Sequence, residues 1–252
     1  GLLTPLVKLD GETDGASVAL VVTDPEGYVV YEGPAAGDTI EIEGIQPWSH
    51  AAPVLYHAVL TLRDADGVLQ EVVPYDIGFR RFEMINGVMC LNGERVVFNG
   101  VNRHEWNADR GRAIGADDMH AAMAVFKKNN INAVRTCHYP DQSLWYDLCD
   151  RNGIYMIDET NLESHGSWMK LGAIEPSWNV PGSLPEWKDC VVDRARSMFE
   201  RDKNHAAVLI WSCGNESYAG EDILAMSQFF HDHDPGRLVH YEGVFHCRAF
   251  DA

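Results

Sequence analysis

From Phe82 onward, short apolar runs alternate with stretches of helical periodicity, and this alternation constrains the fold of the 252-residue chain more than any other feature. The apolar runs cover residues 95–101, 133–136, 154–158, 208–211 and 238–241. Between them, residues 117–130 set Met119, Met123 and Phe126 on one helical face. A second segment, with Asp141 placed to cap it, carries Leu144, Trp145 and Leu148 and stops near Gly153. Residues 186–204 carry Val191, Val192, Ala195 and Phe199, and residues 223–232 carry Leu224, Phe229 and Phe230. Strands that alternate with helices form a parallel sheet. A closed (β/α)8 TIM barrel takes about 250 residues, so the expectation for residues 84–252 is an incomplete barrel with about five strands.

The first third has another texture. Residues 17–23 precede the turn signal Asp24-Pro25-Glu26-Gly27, and residues 28–31 and 39–42 follow it. Residues 56–63 alternate apolar and polar side chains and end at Asp64-Ala65-Asp66-Gly67. Short alternating strands between Gly, Pro and Asp predict an immunoglobulin-like β-sandwich over residues 1–83.

Charge and cysteines narrow the partners. Lys and Arg number 20 against 38 Asp and Glu, a formal charge of −18. Such a surface repels phosphate backbones and anionic membranes, so neither a nucleic acid nor a membrane is an expected partner. A neutral sugar meets no such repulsion, although the acid excess also serves plain solubility. The six cysteines, Cys90, Cys137, Cys149, Cys190, Cys213 and Cys247, contain no Cys-x-x-Cys pair, which argues against a zinc site of the usual spacing. They read as buried free thiols of a cytoplasmic protein. No apolar run reaches the roughly 18 residues of a membrane span. The Gly-Leu-Leu-Thr-Pro start has no signal-peptide pattern and reads as a start inside a longer chain.

Polar residues cluster where each apolar run ends: Asn102-Arg103-His104-Glu105-Trp106, Cys137-His138-Tyr139-Pro140, 158–166, Gly214-Asn215-Glu216-Ser217 and Tyr241-Glu242-Gly243. In a barrel all of these lie on the C-terminal face, where catalysis is placed. Glu216 follows an apolar run, and desolvation there favours the protonated carboxyl that a general acid needs. The plainer alternative is a cap for the next helix. Glu163 and His165, spaced i, i+2, project to the same side of an extended strand end. With Glu216 they make a donor set for magnesium or manganese, although Glu-x-His alone is also a common surface pair. By themselves His104 and His138 read equally well as structural histidines, and Asn102 and Asn215 as turn residues. Trp145 and Trp211 sit in apolar stretches and are expected in the core. Trp106 and Trp168 follow polar clusters and are candidates for a sugar-stacking surface.

These residues resemble glycoside hydrolase family 2, and within it the large bacterial β-galactosidases. The resemblance runs from about Ile45 to Gly243. It is carried by Trp48-Ser49, Pro53-Val54-Leu55-Tyr56, Asp76-Ile77-Gly78-Phe79-Arg80, Asn99-Gly100-Val101-Asn102-Arg103-His104-Glu105, Cys137-His138-Tyr139-Pro140 and residues 210–217. It implies hydrolysis of terminal β-D-galactosyl residues, as in lactose, with retention. It implies Glu216 as acid/base, Asn215 as partner of the sugar 2-hydroxyl, and His104, His138 and Asn102 as sugar contacts. It implies Glu163, His165 and Glu216 as magnesium ligands, a pair-plus-one not expected of β-glucuronidases or β-mannosidases. The family's nucleophile is a Glu on a later barrel strand than the five found here, and Glu242, in Tyr-Glu-Gly, matches a different family position. Two alternatives follow: a non-catalytic or split-enzyme module that needs a partner chain, and a β-glucuronide or β-mannoside substrate. An open sheet exposes its edges, so self-association or completion by the rest of a parent chain is expected.

Overall fold

In the computed structural model, which describes residues 1–11, 13–168 and 179–244, the alternating pattern of the first third becomes two antiparallel sheets. The strands are β1 (Leu2–Leu3), β2 (Ser17–Thr23), β3 (Val29–Pro34), β4 (Ile40–Glu41), β5 (Tyr56–Arg63) and β6 (Leu69–Ile77). One sheet has the order β3-β2-β5-β6, and β1 pairs with β4 in the other. The period-2 pattern turns Leu20, Val22, Tyr56 and Ala58 inward, where they meet Ile42, and Leu3 and Ile40 of the smaller sheet pack against this core. The sequence pattern missed β6. It is an edge strand, largely exposed, and it carries Pro74, a residue that an edge tolerates. The chain divides into two compact units, Gly1–Arg81 and Phe82–Ala252.

The second unit opens with a meander, β7 (Phe82–Ile85), β8 (Val88–Leu91) and β9 (Glu94–Arg95). Asn86-Gly87 and Asn92-Gly93 form its turns with positive φ at every central residue, the geometry of two-residue hairpins. The meander absorbs Arg95, so the strand expected at 95–101 is shifted to β10 (Gly100–Arg103). There follow α1 (Ala116–Lys128), β11 (Ala133–Thr136), α2 (Ser143–Asn152), β12 (Tyr155–Glu159), α3 (His165–Trp168), α4 (Pro185–Asp202), β13 (Val208–Ser212), α5 (Glu221–His233) and β14 (Leu238–His240). The strands β10 to β14 form one five-stranded sheet in sequential order, every pair parallel. This is part of a TIM barrel, as the alternation requires. All of β13 is buried. Its Trp211 stacks on Phe230 of α5 with ring centroids 5.5 Å apart and meets Phe199 of α4 edge-on at 5.6 Å. No helix of the described residues is long and apolar enough to cross a membrane. Among those residues Cys90, Cys137, Cys149 and Cys213 are buried free thiols, whereas Cys190, expected inside, is exposed on α4. Cys247 lies outside the described residues.

Asp141 does not cap α2. Gln142 holds the N-cap position, and Asp141 is buried with Oδ2 2.5 Å from Arg103 Nη1. The Arg103 guanidinium in turn lies 3.9 Å above the Trp145 ring. The helix ends as expected at Gly153, in the left-handed conformation with φ 66°. Burial pushes the Asp141 carboxyl up to about 7, against the opposing pull of Arg103. A carboxyl raised above its ordinary 3.8 holds its proton more tightly in the folded chain. Its contribution to stability is therefore complete below that value and is lost as pH rises through about 7. Urea unfolding across this window should show wild-type stability falling more steeply than that of Asp141→Asn. Parallel pH curves for the two proteins would contradict the assignment.

Candidate active site

Glu159, the last residue of β12, is fully buried. A buried carboxylate must be paired and hydrogen-bonded, and this one is. Its Oε2 accepts from Arg135 Nε at 2.5 Å and from Ser212 Oγ at 2.8 Å, and its Oε1 lies 2.7 Å from His138 Nδ1. Its backbone N–H donates to Thr136 Oγ1 at 2.8 Å. Arg135 extends the network: Nη2 donates to Asn215 Oδ1 at 2.8 Å and lies 3.3 Å from Glu242 Oε2. Asn215 Nδ2 then donates to Glu163 Oε2 at 2.5 Å. One guanidinium on β11 thus ties together the C-terminal ends of β12, β13 and β14.

Glu216 stands four residues beyond β13, in the left-handed region with φ 35°, a conformation that costs a non-glycine residue about 1–3 kcal/mol unless its surroundings hold it. They do so on both sides. The Asn215 N–H donates to Leu162 O at 2.8 Å, the Glu216 N–H to Glu242 Oε1 at 3.1 Å, and the Ser217 N–H to Tyr241 Oη at 2.9 Å. The Glu216 carboxylate is 49% exposed, with Oε2 2.8 Å from His165 Nδ1. The desolvated setting expected from the preceding apolar run is therefore absent: that run is spent in β13, and Glu216 projects from the loop beyond it. Nor do Glu163 and His165 share an extended strand end. Glu163 forms an isolated parallel bridge with Asn215, and His165 starts α3. They are drawn together instead by the His165 N–H, which donates to Glu163 Oε1 at 3.2 Å.

His104 and His138, from the loops after β10 and β11, meet edge-to-face with ring centroids 5.3 Å apart. Partial burial lowers the His104 pKa, helped by neighbouring His138 and Arg112. Burial pushes the Cys137 thiol up to about 11. Asn102 lies on β10 opposite Arg135 of β11, and both line a cleft of about 300 Å³ on the sheet. Trp145 and Trp211 are fully buried, Trp106 is 67% exposed, and nothing is described of the Trp168 side chain.

Residues 82–252 match the TIM barrel domain of glycosyl hydrolases family 2, and residues 4–80 match a further domain described as glycosyl hydrolases family 2. The chain belongs to glycosyl hydrolases family 2. It is 62% identical over 205 residues to a "Beta-galactosidase" of Halalkalibacterium halodurans, covering 81% of this chain and 20% of that protein. It is 51% identical over 253 residues to a "Beta-galactosidase large subunit" of Lactobacillus acidophilus, covering 98% of this chain and 40% of the relative. The chain thus spans well under half the length of these curated relatives. Among solved structures, an apo β-glucuronidase from Ruminococcus gnavus superposes with a TM-score of 0.75 at 26% identity, over 89% of this chain and 37% of that one.

In this family 2 chain, the residues at the centre of the site, Arg135 and Glu159, were not singled out in the sequence. The available signal was a charge inside one short apolar run, 133–136, and another directly after a second, 154–158, and a charge in a buried strand demands a partner. Gly214, before Glu216, has φ 134°, and a Cβ there would stand 2.7 Å from Leu162 O and 2.8 Å from Leu162 Cβ. Gly214→Ala should therefore destabilise the chain by about 1–3 kcal/mol, from strain and the forced shift of residues 162–163. Chemical denaturation checks this, and an unchanged midpoint would show that the loop is not pinned as described.

Proposed function

We propose that this chain carries the acid/base half of a retaining β-galactosidase site, with Glu216 as proton donor and acceptor. The observation that carries the reading is the loop 214–217, which holds a half-exposed carboxylate beyond the end of a parallel barrel strand and fixes its backbone from both sides. In the first half-reaction the Glu216 proton passes to the glycosidic oxygen as the bond to the anomeric carbon breaks and an enzyme carboxylate bonds to that carbon. In the second, Glu216 takes a proton from water, whose oxygen attacks the anomeric carbon and releases the carboxylate. That second carboxylate must stand about 5–5.5 Å from Glu216. Glu242 does not fill the role, because one oxygen accepts the Glu216 N–H and the other faces Arg135. The nucleophile is assigned to a further strand of the full-length barrel. Asn215, His104, His138 and Asn102 are assigned to the sugar hydroxyls.

Glu163, His165 and Glu216 offer two carboxylates and one imidazole, a donor set that fits magnesium or manganese. When bound, such an ion supplies fixed positive charge beside the reacting centre. The galactoside reading draws on relatives named β-galactosidase at 51–62% identity, against 26% for the β-glucuronidase structure. The edges β10 and β14 and the exposed Val97 and Val101 favour self-association or completion by the rest of the parent chain. The relative named "large subunit" is in keeping with such an assembly. The described free thiols suit a cytoplasmic setting.

In the full-length protein, Glu216→Gln should lower kcat/KM for lactose by about 10²–10⁴-fold. A nitrophenyl galactoside, whose leaving group needs no proton, should lose less in the bond-breaking step. Equal losses on both substrates would remove Glu216 from the acid role, and faster turnover of β-glucuronides or β-mannosides would change the sugar. The 252-residue chain alone should turn over neither substrate. Robust activity of the pure chain, abolished by Glu216→Gln, would mean that it holds both carboxylates. Calorimetry with millimolar magnesium should give heat that Glu163→Gln diminishes, and no heat with the unaltered protein would count against the ion site.

A further inference from the structure

The missing Cys-x-x-Cys spacing does not cover donors brought together from different strand ends. His104 follows β10, Cys137 and His138 follow β11, and donor atoms of the three lie within 4.8 Å of one another. A second observation concerns how His138 is held. Its Nδ1 lies 2.7 Å from Glu159 Oε1, and a carboxylate accepts but does not donate, so Nδ1 carries the hydrogen and Nε2 is the ring nitrogen left to meet an ion. A histidine fixed by a buried carboxylate in this way is oriented as metal-binding histidines are. His104 is exposed, which gives an ion access, while Cys137 is buried with Sγ 3.4 Å from Arg135 O.

We infer that His104, Cys137 and His138 form a three-donor site for a soft divalent cation, zinc above all, distinct from the oxygen-rich set of Glu163, His165 and Glu216. Two imidazoles and a thiolate are a zinc donor set with a fourth position left for water. Magnesium, a hard ion, does not favour thiolate. Zinc holds sulfur at about 2.3 Å and nitrogen at about 2.0–2.1 Å, which places ligand atoms roughly 3.5 Å apart. The donor atoms lie within 4.8 Å of one another, so the contraction needed is at most a little over an ångström. As the sulfur–zinc bond forms, the thiol proton leaves to solvent. Binding is a property of these three side chains alone. A consequence for activity, competition with the sugar, rests on the assignment of His104 and His138 as sugar contacts.

Cobalt(II) tests the site, because thiolate ligation gives a sulfur-to-metal charge-transfer band and tetrahedral geometry gives intense visible bands. The 252-residue chain should show both at one equivalent. Zinc should bleach them, and excess magnesium should not. Cys137→Ser should abolish the charge-transfer band, and His104→Gln, at an exposed position, should weaken binding at least tenfold with an unchanged circular dichroism spectrum. Cys190→Ser and Glu163→Gln should leave the bands intact. No charge-transfer band, a band that survives Cys137→Ser, undiminished affinity in His104→Gln, or a band lost in Cys190→Ser would each overturn the proposal. Because the readout is metal binding, the site can fail while the glycosidase reading stands, or hold while that reading falls.

Discussion

The arrangement at the strand ends depends on the buried ion pair between Arg135 and Glu159. Glu159 is wholly enclosed, and a carboxylate in that position is tolerable only with its charge and lone pairs satisfied. Arg135, Ser212 and His138 do this together, and each comes from a different strand or loop. Removing one partner from such a pair costs about 3–5 kcal/mol, far more than a surface ion pair contributes. That penalty makes the pair an organiser. A parallel sheet fixes its strands by backbone hydrogen bonds, but these do not aim the side chains at the strand ends. The guanidinium does, by reaching Glu159, Asn215 and Glu242 at once.

From that centre the geometry passes outward by short steps. Asn215, oriented by Arg135, orients Glu163, and Glu242 receives the Glu216 amide. The strained backbone of Glu216 persists because the residues before and after it are bonded to different elements, Leu162 and Tyr241. The exposed carboxylate is thus presented by a loop bonded on both sides, the support that the proposed proton transfer to a substrate oxygen requires. His138 joins the same centre through the other oxygen of Glu159, so His138 and the Glu216 loop share one support.

Much of the fold was legible because hydrophobic periodicity is a direct record of burial. The helical faces of Met119, Met123 and Phe126 and of Val191, Ala195 and Phe199 are buried, and β2 and β5 fall where alternation places them. What escaped had other causes. β6 is an exposed edge carrying a proline, and β7–β9 are set by Asn-Gly turns rather than by periodicity. The position of Asp141 just before a helix suggests a local cap, but a partner on another strand, Arg103, claims it. The site showed the same division. Glu163, His165, Asn215 and Glu216 stood out as polar residues at strand ends, and they converge. Arg135 and Glu159 did not stand out, because their role depends on which strands become neighbours, and spacing along the chain does not show that.

The stereochemistry of azide rescue tests the role of Glu216 most directly. In full-length protein with Glu216→Gly, azide needs no general base and enters the space that the carboxylate vacated. If Glu216 is the acid/base, azide should restore turnover of an activated galactoside and yield β-galactosyl azide, with retained configuration. An α-galactosyl azide would make Glu216 the nucleophile, and undiminished activity without azide would remove it from the chemistry.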